Sequence, residues 1–333
     1  MDSKNIQIPL LHVAQTSSSI MYQVVLALSP GVLVLVWSFG LSVLVQIAIA
    51  IVTTILAEAV IMLLRGKNIF KNVFDGSGIV TAILLAIALP PALPWWAVVI
   101  GSLFAIVLVK HLYGGTGFNI FNPAMMGYVV LIIAFPKEMT SWVSIGSISE
   151  LSLWQQLALA FGFESIDSYT GATPLGGMKD SLLQGLTVNE HLSRQNLGFF
   201  AIEHWEYVNF GFLIGGLFLL ARKIITWHIP VTLLASFSIL AFIFHLIDPA
   251  VYSSASFQMF AGGTMLGAFF IATDPVTSCA SIKGKIIFAM LVGILEYLIR
   301  TFGGYPDGIA FAIVISNMFV PLIDYYTAPT RRI

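Results

Sequence analysis

The segment Asp167-Ser168-Tyr169-Thr170-Gly171-Ala172-Thr173-Pro174-Leu175 sets a threonine hydroxyl among small neighbours. Thr170 and Gly171 favour a bend, and Pro174 drives Thr173 towards an extended conformation. The Thr173 hydroxyl is thereby open to a modifying enzyme, although on these residues alone the segment reads as a surface turn. Two carboxylates, Glu58 and Glu296, pose a different question, because they fall inside apolar runs, where ionisable residues mark functional sites. Arg300 follows Glu296 by four residues, the favourable acid-then-base order, so Glu296 reads as structural. Glu58 has no cation at helical spacing within its own run; Arg65, seven residues on, is the nearest on that face. A hydrogen bond to a neighbouring helix and a charge-handling role both fit Glu58, and it is the better functional candidate of the two.

The elements that position these groups follow from composition. Of 333 residues, 58% are hydrophobic and 9% charged, with 15 Lys+Arg against 16 Asp+Glu. Soluble domains carry about 25% charged residues, and ten membrane helices of about 20 apolar residues each would absorb nearly the whole hydrophobic complement. A soluble enzyme and a disordered chain are excluded, and the basic surplus of a nucleic-acid binder is missing. The expected surroundings are a lipid bilayer and the expected fold is an all-α polytopic membrane protein. Cys279 is the single cysteine, so the chain cannot supply the roughly four thiolates of an iron–sulfur cluster. The six histidines form no facing pair at four-residue spacing, which argues against an intramembrane haem. Any redox function must use an organic cofactor.

Ten spans are predicted, at 21–39, 41–64, 76–90, 95–112, 123–136, 206–221, 228–247, 257–272, 285–300 and 307–325. They divide the chain into an amino-terminal arm (1–20), a five-helix unit (21–136), an exported segment (137–205), a second five-helix unit (206–325) and a tail (326–333). Eleven of the 15 cations fall on one side of this arrangement, Lys110 among them, and only Lys137, Lys179, Arg194 and Arg300 on the other. Both termini are therefore expected in the cytoplasm, with the acidic 137–205 segment outside. That segment opens with an amphipathic helix whose Leu151, Trp154, Leu157, Ala158 and Phe161 recur on one face, and whose Ser152, Gln155 and Gln156 face away; it reads as lying on the outer leaflet, with docking on a partner subunit the alternative.

Shifting the chain on itself by about 186 residues superimposes the spans in order, and Phe74, Gly76, Ala82 and Ala86 fall on Phe260, Gly262, Ala268 and Ala272. The Gly114–Gly115 pair answers to Gly303–Gly304. Five spans per half is an odd number, so the second unit is expected upside down, as in inverted-repeat transport proteins. Each half also holds a helix-breaking segment. Asn122 is positioned to cap a helix beginning at Pro123, and Asp274 before Pro275 repeats that grammar. Capping at an ordinary helix start and a cofactor or ion site built from helix ends are both open at these segments.

Asp167, Thr170, Gly171, Ala172 and Thr173 together resemble the flavinylation signal of the Rnf and Na⁺-pumping NADH:quinone reductase families. The runs Gly114-Gly115-Thr116-Gly117-Phe118-Asn119, Phe121-Asn122-Pro123-Ala124 and Gly303-Gly304-Tyr305-Pro306-Asp307-Gly308 extend the resemblance along the chain, in the order of the D subunit of the Rnf complex. The resemblance implies a bacterial inner-membrane subunit of a redox-driven pump coupling ferredoxin:NAD electron transfer to Na⁺ or H⁺ movement. It also implies FMN held by a phosphoester at Thr173 on the periplasmic side, installed by a flavin transferase that takes FMN from FAD. Related complexes hold a second, non-covalent riboflavin. Partner subunits would deliver and remove the electrons, since the chain has no dinucleotide fingerprint and completes no reaction alone. In that setting Glu58 becomes the candidate for the coupling ion. Lys179 stands near Thr173 in sequence and could neutralise phosphate charge, but reads as a solvated loop lysine. A urea-transporter-like channel, built on the same inverted five-helix plan without redox chemistry, is the competing expectation.

Overall fold

A computed structural model describes residues 16–147, 151–163 and 169–327. Asp167, most of the 1–20 arm and nearly all of the 326–333 tail lie outside the described residues. The regular structure of the described residues is helical, and their extended pairings are two isolated bridges, Val143 with Thr170 and Leu197 with Ile202.

In the first half the helices are α1 (Ser17–Phe39), α2 (Ser42–Leu64), α3 (Ile69–Val73), α4 (Ser77–Ala88), α5 (Trp95–Leu103) and α6 (Pro123–Ala134). Helix α5 runs on as a π-helical stretch, Phe104–His111. The outer segment contributes α7 (Pro136–Thr140), α8 (Leu153–Ala160), α9 (Pro174–Leu183) and α10 (Val188–Leu192). The second half holds α11 (Glu203–Ala221), α12 (His228–Ile247), α13 (Ala255–Phe260), α14 (Thr264–Leu266), α15 (Ile282–Phe302) and α16 (Ile309–Thr327). Helix α14 also passes into a π-helical stretch, Gly267–Ile271.

All ten predicted spans coincide with helix. Helices α1, α2, α12 and α16 are long and apolar enough to cross a membrane; α4, the α5 stretch and α6 are apolar but shorter. Helices α11 and α15 have the length, but α11 opens on Glu203 and Glu206, and α15 carries Lys283, Lys285, Glu296 and Arg300.

The centre of the fold is an antiparallel crossing of α1 and α11. Trp37 stacks on His204 with 4.7 Å between ring centroids, and at the other end Arg222 Nε donates to Gln23 Oε1 at 3.2 Å. Between them a Cβ on Gly211 would stand 2.8 Å from the Cα of Gly31. Small residues let two backbones approach this closely, which is how helices associate where no hydrophobic drive exists between them. The order of neighbours then repeats. Helix α1 packs on α4, α2 on α4 and α5, and α5 on α6; likewise α11 packs on α14, α12 on α13 and α15, and α15 on α16. The residue match between halves is looser than the packing match. Gly114 and Gly115 have positive φ (129° and 108°), whereas Gly303 has φ −78°.

Two sequence expectations change here. Asn122 does cap α6, accepting from Met125 N at 3.2 Å with Pro123 as the first helical residue. Asp274 instead caps a turn, accepting from Val276 N and the Thr277 hydroxyl, both at 3.1 Å; the next helix starts at Ile282, capped by Ser281. The amphipathic reading of α8 also shifts. Gln156 is buried rather than outward, because its Oε1 accepts from Leu41 N at 2.7 Å and so satisfies the α1–α2 turn. Trp154, Leu157 and Phe161 are exposed.

Candidate functional site

Thr173 is the N-cap of α9. Its backbone is extended (φ −65°, ψ 159°), as Pro174 dictates, and its Oγ1 accepts from Gly176 N at 3.1 Å. The preceding residues are pinned to the 142–144 stretch: Gly171 N donates to Trp142 O and Ser144 N to Tyr169 O, both at 2.8 Å. Gly171 is required there, since a Cβ would lie 3.0 Å from the Cα of Ser144. The turn read from sequence is therefore a fastened one, with Thr170 and Ala172 exposed and Thr173 half-buried.

Thr173 and Ala172 sit on the wall of a cavity of about 380 Å³ at the C-terminal ends of α1 and α6 and the N-terminal end of α11. That is within the range of cofactor sites. Trp142 and Trp205 supply aromatic walls, 5.2 Å apart by centroid, and Asp307 with Gly262–Gly263 forms the far side. Lys179 also lines this cavity and donates to Gly303 O, which corrects the expectation of a solvated loop lysine. Burial lowers its pKa, with Asp180 beside it working the other way.

Behind Asp307 lies a polar knot, in which Glu296 Oε2 and Arg300 Nε are buried without a partner. The Nη2 of Arg300 donates to Glu296 Oε1 (2.8 Å), Thr264 Oγ1 (2.8 Å) and Asp307 Oδ1 (2.9 Å). Asp307 in turn accepts from Gly263 N at 2.6 Å. The Glu296–Arg300 pairing expected from four-residue spacing is present, enlarged by two residues from other elements.

Glu58 lies elsewhere. A second cavity, of about 300 Å³, opens at the other end of the α1/α11 pair, lined by both helix-breaking segments through Asn122 and Asp274 and by Lys110 and Ser77. Lys110 Nζ is ion-paired with Glu58 Oε1 and donates to Ser77 Oγ at 2.7 Å. His111 Nε2 stands 3.3 Å from the same carboxylate oxygen. The interhelical partner open to Glu58 in the sequence is thus Lys110, which the charge count places among the face cations and which is buried. Arg300, counted on the opposite face, is buried too. Asn317, buried in α16, joins the two broken segments: its Oδ1 accepts from Asn122 N (3.1 Å) and its Nδ2 donates to Thr277 O (2.9 Å). An asparagine in an apolar helix is the sequence signal for it.

Fold and sites define a polytopic helical protein with two cavities, one bordered by the half-buried Thr173 and the other by a buried lysine–carboxylate pair. The chain belongs to the NQR2, RnfD, RnfE family, whose profile matches residues 5–332. Over 96% of its length it is 46% identical to the D subunit of the ion-translocating oxidoreductase complex of Aliivibrio salmonicida, 95% of which is covered. Identity to the proteins of the same name is 46% in Sodalis glossinidius and 45% in Vibrio cholerae serotype O1, with 96% of both chains covered in each case.

Proposed function

We propose that the chain is the membrane flavoprotein subunit of a redox-driven cation-translocating complex of the ferredoxin:NAD type, carrying electrons through FMN esterified to Thr173. The observation that carries this reading is the place of the Thr173 hydroxyl, on the wall of a cavity of cofactor size with Trp142 and Trp205 facing it. The residues present fit the group. The phosphate would lie at the N-terminus of α9, where free N–H groups and the positive end of the helix dipole favour an anion, and Lys179 adds a cation on the same wall. The two tryptophans offer flat apolar faces and exclude water. Bound there, FMN would supply one- and two-electron transfer. The relatives' shared name, that of an ion-translocating oxidoreductase complex, supports the assignment, and electrons would enter and leave through the other subunits of the complex.

The same reading takes the fold as ten transmembrane helices in two inverted five-helix repeats, supported by the antiparallel α1–α11 crossing and the repeated order of neighbours. It sets the chain in a bacterial inner membrane with both termini cytoplasmic. Arg65, Lys67, Arg222, Lys223, Lys283 and Lys285 gather at the helix ends around the Lys110 cavity, and Lys137, Lys179 and Arg194 at the Thr173 end. Thr173 is then periplasmic, within reach of an exported flavin transferase. The Lys110 cavity is the place for a non-covalent riboflavin, with polar groups from both broken segments at its edge. Glu58 is the coupling-ion residue.

The test is in-gel flavin fluorescence after denaturation, with a flavin transferase co-expressed. A fluorescent wild-type band that vanishes in Thr173→Ala is expected, and a dark wild-type band overturns the assignment. For Glu58, Glu58→Gln should keep electron transfer and lose cation pumping; normal pumping in that variant removes Glu58 from the coupling path.

A further inference from the structure

Lys110 stands between two electrostatic environments. On one side is Glu58, buried on α2. On the other, Lys110 donates to Ser77 Oγ, which donates in turn to Asp75 Oδ1 at 2.5 Å, and both Lys110 and Ser77 line the second cavity. The lysine is held by one carboxylate oxygen and one hydroxyl. Glu58 is only half used: its Oε2 is buried with no hydrogen-bond partner, and so is Oγ1 of Thr54 one turn earlier on α2. Both residues face Gly78, where a Cβ would meet Glu58 Oε2 at 2.5 Å and Thr54 Cγ2 at 3.0 Å. A buried carboxylate oxygen without a donor is costly, and it is an acceptor in want of a cation. The remaining charged and titratable groups nearby are His111, on the same Glu58 oxygen, Arg65, which is turned to the carbonyls of His111 and Gly114, and Asp274, Cys279 and Lys285, which line the cavity from the second half. Lys110 itself lies at the end of the π-helical stretch, a geometry frequent at functional sites.

We propose that Lys110 is a tethered counter-ion, exchanging on Glu58 with a free monovalent cation. While the cavity holds no added negative charge, Lys110 neutralises Glu58 and no cation enters. When a flavin held in the cavity, as in the reading above, takes up one electron from the complex without a proton, the ammonium turns towards that charge along the Ser77–Asp75 path, and Glu58 takes up one monovalent cation. Charge balances at each stage: one electron delivered by the complex is matched by one cation bound, with no covalent bond made or broken. Lysine suits this exchange because its ammonium is a compact point charge on a flexible stem. The inference rests on the reading of Glu58 as the coupling-ion residue.

A hydrophobic carbodiimide, dicyclohexylcarbodiimide, provides the test, because it modifies buried carboxyls that carry a proton and spares those in a lysine ion pair. Modification of Glu58 in the purified complex is read by peptide mass spectrometry, oxidised and after reduction with dithionite, in sodium-free buffer. Wild type should be modified at least several-fold more when reduced. Lys110→Met should be modified strongly in both states. Lys110→Arg, which keeps the charge but grips the carboxylate with a fork, should be modified in neither. Added sodium that suppresses modification identifies sodium as the exchanging cation; persistence of modification identifies the proton. Wild-type modification indifferent to reduction, or Lys110→Met no more reactive than oxidised wild type, overturns the exchange. Pumping by Glu58→Gln separates the two claims. Normal pumping in that variant defeats the coupling role of Glu58, whereas lost pumping with redox-indifferent modification defeats only the lysine exchange.

Discussion

Two buried ion pairs of the same formal charge type differ in how firmly each cation is held. Arg300 is bound by Glu296, Asp307, Thr264 and the Gln258 carbonyl, and its guanidinium lies 5.0 Å above the Phe237 ring. Lys110 has two partners, Glu58 and Ser77. A planar guanidinium with five donors can be fixed by its surroundings, whereas an ammonium on a four-carbon stem cannot. The arginine knot braces the Thr173 cavity by tying Asp307, and through it Gly263, to α15. The lysine pair borders the other cavity and is tied to its wall by a single hydroxyl, that of Ser77. One pair is built to stay and the other to change partners.

Breaking each pair should show the difference. Arg300→Met leaves Glu296 and Asp307 facing one another without a cation, and loss of one partner of a buried pair costs about 3–5 kcal/mol. Thermal unfolding of the detergent-purified protein should register this as the largest effect of any single substitution considered. Lys110→Met removes two hydrogen bonds where Arg300→Met removes four, so its cost should be smaller, about 1–3 kcal/mol. Equal losses in the two variants would erase the distinction between a locked and an exchangeable pair.

A gentler probe is steric. Gly262 lies against the arginine knot: a Cβ there would meet Leu175 Cδ1 at 2.6 Å, Asp307 Oδ2 at 2.7 Å and Arg300 Nη2 at 3.0 Å. Asp307 and Arg300 can yield only by giving up bonds to each other and to Gly263 N, and Gly262→Ala should destabilise by about 1–3 kcal/mol as overpacking does. Gly78→Ala presses chiefly on Glu58 Oε2, a carboxylate that can rotate away from its lysine. It should cost less in unfolding and instead raise the carbodiimide reactivity of Glu58 in the oxidised state.

The contrast explains which parts of the protein are legible in the sequence. The Glu296–Arg300 pair lies within one helix turn and is readable from spacing alone. The extended backbone and turn at Thr173 are readable because Thr170, Gly171 and Pro174 are contiguous with it. Lys110 meets Glu58 across 52 residues and between two helices, and Lys179 meets Gly303 across 124. Neither pairing leaves a periodic trace, so a lysine at the end of an apolar run reads as a face cation, and one in a polar segment reads as solvated. The ten helical stretches follow from hydropathy, but their lengths do not. Helices α4 and α6 are 12 residues each; α4 starts only after the left-handed turn at Gly76 and α6 only after the Asn122 cap. Gln156 reads onto the wrong face for a related reason: the Leu41 amide it satisfies belongs to a turn 115 residues away.

The outer segment gives the smallest effect, and it bears on the Thr173 side of the comparison alone. His191 packs beneath α9, with Nδ1 paired to the Ser181 hydroxyl at 2.7 Å and Nε2 buried with no partner. Burial, reinforced by Arg194, lowers its pKa, so the folded segment holds it neutral. The unfolded chain binds a proton near pH ~6.5, and the stability contributed by the neutral ring is therefore complete above that pH and lost as pH falls below it. Glu190 acts in a separate window. Its carboxylate accepts from Thr187 N at 2.7 Å and is lowered in pKa by that bond, so its contribution fades only as pH falls through the carboxylate range. Thermal unfolding at about pH 7.5 and about pH 5.5 brackets the histidine window and leaves the carboxylate one untouched. Wild type should melt lower at the acidic value, and His191→Gln should flatten that dependence. The Lys110 cavity has no part in this titration, so carbodiimide reactivity of Glu58 should be the same in His191→Gln as in wild type. A change there would mean that the two ends of the molecule are mechanically coupled.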